Sequence, residues 1–334
     1  MNIVDQAILN ALSINMGYHY GEKVIIIVQD WNPLFDKSLR KGFRRSSSLA
    51  DRMLRVFQNE GISADLLSYT PTEARNGADA PKELLERSSH GEIFFLTTPF
   101  SLTHTHFRKS LSARGARVAS MPGFTLELFE EDGPMNVDYR EIKRITEETA
   151  EKLHKAKFVK ITAPGTEMVV EIDRENVHVS SGVLDTPGKW GNLPGAEAYA
   201  PPVHLGKSNG FFTVPAGWGG NAPLPYPLRF TVQGGRFVSV EGENPEAEKF
   251  AEEKVRPHLF GAPGYEVLAE LGIGTNPNLT AEYIAKKGWS ALTAEKIAGS
   301  AHFANGNSFS MGGKNDVPVH IDWVVPGVKL EFQS

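Results

Sequence analysis

Apolar positions recur in two rhythms along the chain, and the change between them falls near residue 155. In the first part, helical spacings alternate with short unbroken apolar runs. Ile3, Ala7, Ile8 and Leu12 form a helical stripe, and after Gly21 comes the buried-strand run Val24 to Val28. Leu49, Met53, Val56 and Phe57 predict a second helix that stops at Gly61. Strand-like segments are expected at Ala64 to Tyr69, at Ile93 to Thr97 and, after another helix, at Arg117 to Ser120. Tyr139 to His154 reads as a long helix with Ile142, Ile145 and Leu153 on one face. Strands alternating with helices predict a mainly parallel sheet flanked by helices, a first α/β domain over residues 1–155.

From residue 156 to 334 the pattern is of the α+β kind. Phe158 to Thr162 and Met168 to Ile172 predict a hairpin around Ala163-Pro164-Gly165-Thr166, and a Gly- and Pro-rich loop is expected over 182–227. Arg229 to Val232 and Phe237 to Val240 suggest a second hairpin. One helix is expected after Asn244-Pro245, where Asn caps and Pro suits the first turn.

Composition narrows the chemistry. The chain has 334 residues and no cysteine, so disulfides and thiolate metal sites are excluded and His, Asp and Glu are the strong ligands left. A formal charge of -5 argues against a nucleic-acid binder. No apolar run approaches the roughly 20 residues that span a bilayer. The first residues carry no basic segment of the secretory kind, and a cytoplasmic location is expected. Neither a G-x-G-x-x-G after the first strand nor a Walker A sequence occurs, so nucleotide binding has no support.

Metal-ligand residue types gather toward the C-terminus: Glu270 in LAELGIGTN, His302 in EKIAGSAHFANG, and His320 with Asp322 in PVHIDWVV, with Glu197 in GNLPGAEAY upstream. His320 and Asp322 lie two apart in a strand-like run, so both face one side while Ile321 and Trp323 pack behind. Two titratable groups on one face of an apolar strand are costly to bury without a partner. Glu270 reads as the end of an apolar helix beside a glycine loop, and His302 lies in a small-residue stretch that lets the backbone approach a site. Taken singly, each of these also fits a structural role. His104 and His106 in SLTHTHFRKS follow a strand of the first domain, where α/β sheets bind ligands, and His104 is a candidate for contact with substrate.

The segments GNLPGAEAYAPP, LAELGIGTNPNL, EKIAGSAHFANG and PVHIDWVV resemble, in order, the four metal-site blocks of the aminopeptidase T family of metallo-aminopeptidases. Similarity extends to PGTEMVVEI and to SLTHTHFRKSLSARGARVASMPGF, and so covers most of the chain. The resemblance implies that Glu197, Glu270, His302, His320 and Asp322 bind two divalent ions (zinc, cobalt, manganese or magnesium), with Glu197 or Glu270 as general base. It implies a homodimer whose first domain covers a cleft, and removal of N-terminal residues from short peptides. Three carboxylates and two neutral imidazoles carry about -3, close to what two divalent ions neutralise.

One position departs from the family. Its peptidases carry a tyrosine seven residues after the third-block histidine, and here Phe309 stands there. The related 2,5-dihydroxypyridine dioxygenases use one iron(II) held by two histidines and an aspartate, with a histidine at the position of Glu270. That related activity is the alternative expectation, and a non-catalytic metal-binding protein is the second. Glu270 favours the two-metal hydrolase, and Phe309 pulls toward the dioxygenase.

Overall fold

The computed structural model describes residues 2–220, 222–287 and 290–334, with residue 291 described by its backbone alone. The chain divides into two compact units: residues 1–140 with 182–195, and residues 141–181 with 196–334.

In the first unit, strands β1 (Val24–Gln29), β2 (Ala64–Tyr69), β3 (Ile93–Leu96) and β4 (Arg117–Ser120) alternate with helices α1 (Ile3–Asn10), α2 (Arg40–Asn59), α3 (Lys82–Arg87) and α4 (His106–Ala113). Apart from α3, these are the elements that the alternating rhythm predicts. All four strands pair in parallel, in the order β2-β1-β3-β4. Such a sheet needs cover on both faces, which explains the unbroken apolar runs. Ile25, Ile27, Phe94, Leu96 and Val118 are buried together with Leu84, Phe107 and Leu111 of α3 and α4. Toward α2, Phe57 packs on Phe95 with ring centroids 5.9 Å apart.

Helix α5 (Tyr139–Lys155) leads into the second unit. There follow the hairpin β5 (Phe158–Ala163) and β6 (Thr166–Glu171), then β7 (His178–Ser180). The next strand, β8 (Trp190–Asn192), adds to the parallel sheet of the first unit beside β4. The expected boundary at residue 155 marks the end of α5, whereas the compact units part between Arg140 and Glu141 and exchange residues 182–195. The Gly- and Pro-rich stretch 182–227 therefore holds more order than a loop, with β8, β9 (Glu197–Ala200) and β10 (Asn209–Val214) inside it.

The remaining strands are β11 (Leu228–Gln233), β12 (Arg236–Gly242), β13 (Leu268–Gly274), β14 (Ala301–Gly306), β15 (His320–Val325) and β16 (Lys329–Gln333). Helix α6 (Pro245–Phe250) is capped as expected: the Asn244 side chain accepts from Ala247 N at 2.8 Å. Two antiparallel sheets result, β12-β11-β10-β6-β5-β16 and β15-β14-β13-β9-β7. Aromatic rings join them. Phe303 of β14 stacks on Phe212 of β10 at 4.5 Å, and Trp323 of β15 lies 4.7 Å from Phe230 of β11. Each strand of the second sheet thus turns one alternate set of side chains into this core and leaves the opposite set on its other face. Among the described residues, no helix is long and apolar enough to cross a membrane.

Candidate metal centre

The second sheet brings the five candidate ligands together, each from a strand. Glu270 lies within β13, His302 on β14, His320 and Asp322 on β15, and Glu197 at the start of β9. This corrects one expectation, since Glu270 is within a strand and not at a helix end; the small-residue stretch around His302 is itself a strand. Both segments are rich in Gly and Ala, which hides their strand character, yet both are buried on both faces.

Cross-strand register explains the convergence. Ala304 pairs with Glu270 on one side and Asp322 on the other, Gly272 pairs with His302 and Tyr199, and Gly274 pairs with Glu197. Paired residues point to the same face, so the carboxylates and imidazoles share one side of the sheet. Between them stand Gly272, Gly274 and Ala304, leaving the space the longer side chains fill. Gly272 must stay bare, because a Cβ there would lie 2.0 Å from His302 Nε2.

The contacts are short. His302 Nε2 lies 3.1 Å from Glu270 Oε1, while His320 Nε2 lies 3.4 Å from Glu270 Oε2 and 3.2 Å from Asp322 Oδ1. Glu270, His302 and Asp322 each offer a ligand atom within 4.8 Å of the others. His320 Nδ1 lies 2.7 Å from the Asn307 carbonyl. A carbonyl only accepts, so Nδ1 carries the proton and Nε2 keeps its lone pair for a cation.

Residues that the sequence reading passed over complete the picture. Lys296, buried, puts its ammonium 2.6 Å from Glu197 Oε1 and 3.1 Å from Glu295 Oε2. Tyr199, stacked on His178 at 5.0 Å, shares the face of the cluster. The available signal was the charged pair Glu295-Lys296 just ahead of the small-residue stretch leading to His302. Phe309 is 63 % exposed in a single turn, Phe309–Met311. His104 belongs to the first unit, where its ring meets Trp190 edge-on at 6.0 Å, and His106 begins α4 with its backbone N–H held by Asp79.

Electrostatics test whether a cation fits. Burial lowers the basicity of His302, but Glu270, Asp322 and Glu197 outweigh it and raise the imidazole to about 9. Burial acts the same way on His320, and Asp322 and Glu270 raise it well above the ordinary value. Burial pushes the Glu270 and Asp322 carboxyls up, yet the two imidazoles bring both below their usual range. The carboxylates thus demand positive charge and take it as protons on the imidazoles. A divalent cation supplies that charge and displaces those protons. Glu197 Oε2, His302 Nδ1 and Asp322 Oδ1 are buried without a hydrogen-bond partner, a costly state that a bound cation and its ligands would relieve for the two carboxylate oxygens. The residues present fit a divalent metal ion.

Known proteins resemble this chain in both sequence and fold. The family profile of 2,5-dihydroxypyridine 5,6-dioxygenase matches residues 59–332. The solved 2,5-dihydroxypyridine dioxygenase of Pseudomonas putida KT2440 superposes with a TM-score of 0.72 at 13% identity, covering 98% of this chain and 93% of that one. Wild-type AmpT from Thermus thermophilus superposes with a TM-score of 0.62 at 15% identity, covering 99% and 94% respectively. At such identities the two structures establish the shared fold. No curated protein sequence matches significantly. The profile spans both the parallel sheet from its second strand onward and every candidate ligand, and the chain belongs to the 2,5-dihydroxypyridine 5,6-dioxygenase family.

Proposed function

We propose that this protein is a single-iron dioxygenase that opens the ring of 2,5-dihydroxypyridine or a close dihydroxylated relative. The observation that carries the reading is the convergence of Glu270, His302, His320 and Asp322 on one sheet face, within a segment that matches the dioxygenase family throughout. This reading takes the place of the dinuclear peptidase expected from the four sequence blocks.

His320, Asp322, Glu270 and His302 would hold the ion. When bound, ferrous iron supplies the redox chemistry by which dioxygen reacts with an electron-rich ring. The protein's own residues do the rest. The Asn307 carbonyl keeps His320 in the tautomer whose Nε2 faces Glu270 and Asp322. A ring hydroxyl sheds a proton more readily beside a cation, and we assign its acceptance to Glu197 Oε2, which is buried with no hydrogen-bond partner. Glu270 departs from the histidine that the dioxygenases carry, and adds a negative charge to the ligand set. His104, on the loop after β3, is assigned to substrate contact; unchanged kinetics in His104→Ala would dispose of that role.

The peptidase reading keeps one specific observation in its favour: Glu270 is a carboxylate, and with Glu197 and Asp322 it enriches the centre in the ligands that a metal pair requires. Parallel assays separate the two. Protein purified anaerobically and loaded with iron(II) is expected to consume one dioxygen per 2,5-dihydroxypyridine opened, with no external reductant. Release of amino acids from a dipeptide panel by zinc-, cobalt-, manganese- or magnesium-loaded protein, with no oxygen uptake on the pyridine, would replace the dioxygenase reading with the hydrolase.

A further inference from the structure

One-metal and two-metal centres differ in the positive charge that their carboxylates require, and a buried ammonium bears on that difference. Lys296 is only 2 % exposed, and an ammonium so buried persists only where carboxylates surround it. Its Nζ lies 2.6 Å from Glu197 Oε1 and 3.1 Å from Glu295 Oε2. Glu197 is thereby shared: Oε1 meets the ammonium, while Oε2 lies 3.8 Å from His302 Nε2.

The backbone holds Lys296 in this place. Its N–H bonds Thr293 at 3.2 Å, and its carbonyl accepts from Asn276 N at 2.8 Å, just beyond the end of β13. The approach depends on Gly274, the residue paired with Glu197. A Cβ there would stand 2.7 Å from the Glu295 carbonyl and 2.3 Å from that of Ile297. The same strand end thus positions the carboxylate and the turn that delivers its counter-charge.

We propose that Lys296 sets the metal stoichiometry: its ammonium supplies Glu197 with the positive charge that a second divalent ion would otherwise supply, and the centre holds one ion. Burial raises the Glu295 carboxyl to about 8, so it adds no charge at neutral pH; with neutral imidazoles, Glu197, Glu270 and Asp322 carry three negative charges. The ammonium cancels one, leaving about -2, which a single divalent ion neutralises. Without the ammonium the same set approaches the charge of a two-metal centre. The inference rests on the single-ion reading above and names the residue responsible for it.

The test counts metal. Chelator-stripped protein is titrated anaerobically with Mn²⁺, and bound ions are measured by elemental analysis and by paramagnetic resonance. Wild type and Lys296→Arg are expected to bind one ion per chain, and Lys296→Met two, the second showing exchange coupling to the first. Two ions in wild type, or one in a folded Lys296→Met, would overturn the proposal. Should Lys296→Met fold only with manganese, a second equivalent is expected to raise its melting temperature; a rise that saturates at one overturns it. Lys296→Met combined with Glu197→Gln removes both charges and is expected to return to one ion, so two or none refutes the charge argument even if the single variant never folds. Ring opening is assayed separately on wild type. One bound ion without ring opening leaves the role of Lys296 standing and removes the substrate assignment.

Discussion

The imidazole of His302 lies over Gly272 of the adjacent strand so closely that a Cβ on the glycine would stand 2.0 Å from Nε2. The nearest atoms belong to the imidazole itself, so adding a methyl there displaces a candidate ligand. Gly272→Ala is expected to weaken divalent-metal binding by about 10–100-fold, the range seen when a ligand loses its support. It should also cost about 1–3 kcal/mol of stability by overpacking. Calorimetric metal titration and urea unfolding check both. Unaltered metal affinity would mean that His302 is not a ligand.

Glu270 faces both imidazoles, one at each carboxylate oxygen. Replacing it with Ala leaves the two imidazoles without their shared counter-charge, and is expected to abolish stoichiometric metal binding. Glu270→His restores the residue type of the related dioxygenases and is expected to retain one ion. Iron quantification after anaerobic reconstitution distinguishes the two variants.

The metal-free protein should lose stability as the solution becomes alkaline. His302 rises from 6.5 to about 9 on folding, so the stabilisation from its protonated form is complete below pH 6.5 and vanishes as pH passes 9. Burial raises the Glu295 carboxyl from 4.5 to about 8, with Asp322 and Glu197 adding to it against Lys296, and its contribution is lost in the same direction. Melting temperatures in chelator are therefore expected to fall between about pH 6.5 and 9. Metal affinity should rise over the same window, because binding displaces protons. A flat melting profile would contradict the charge coupling described here.

Asn305 ties β14 to its surroundings from the side opposite the ligands. Its amide N–H groups bond the His258 and Tyr265 carbonyls at 3.0 and 2.8 Å, and its oxygen accepts from the Trp323 indole at 2.9 Å. Asn305→Ala strands these partners and is expected to cost about 3 kcal/mol, since each buried group left unpaired costs about 1–3 kcal/mol. Metal stoichiometry should hold while the urea midpoint falls.

The parallel sheet was legible because its strands are buried on both faces and read as apolar runs, as in Val24 to Val28. Arg117–Ser120, buried throughout, occurs at the expected bounds, as does the partly buried edge strand Ala64–Tyr69. The strands of the candidate site were not legible as strands. Leu268–Gly274 and Ala301–Gly306 carry glycines and alanines where the ligands need room, and such residues carry weak strand propensity. Lys296 went unread because the pair Glu295-Lys296, the one local signal, reads equally well as a solvated surface pair and gives no sign of burial.

The sequence by itself determined the candidate ligand types and their order, the exclusion of thiolate chemistry, and the pairing of His320 with Asp322 on one strand face, since these follow from composition and a period of two. Only the tertiary structure decided that these side chains meet through cross-strand register around Gly272, Gly274 and Ala304. It alone set an ammonium against Glu197, because charge balance depends on which side chains share a buried space, and residues as distant as 197 and 296 share one only after the chain has folded.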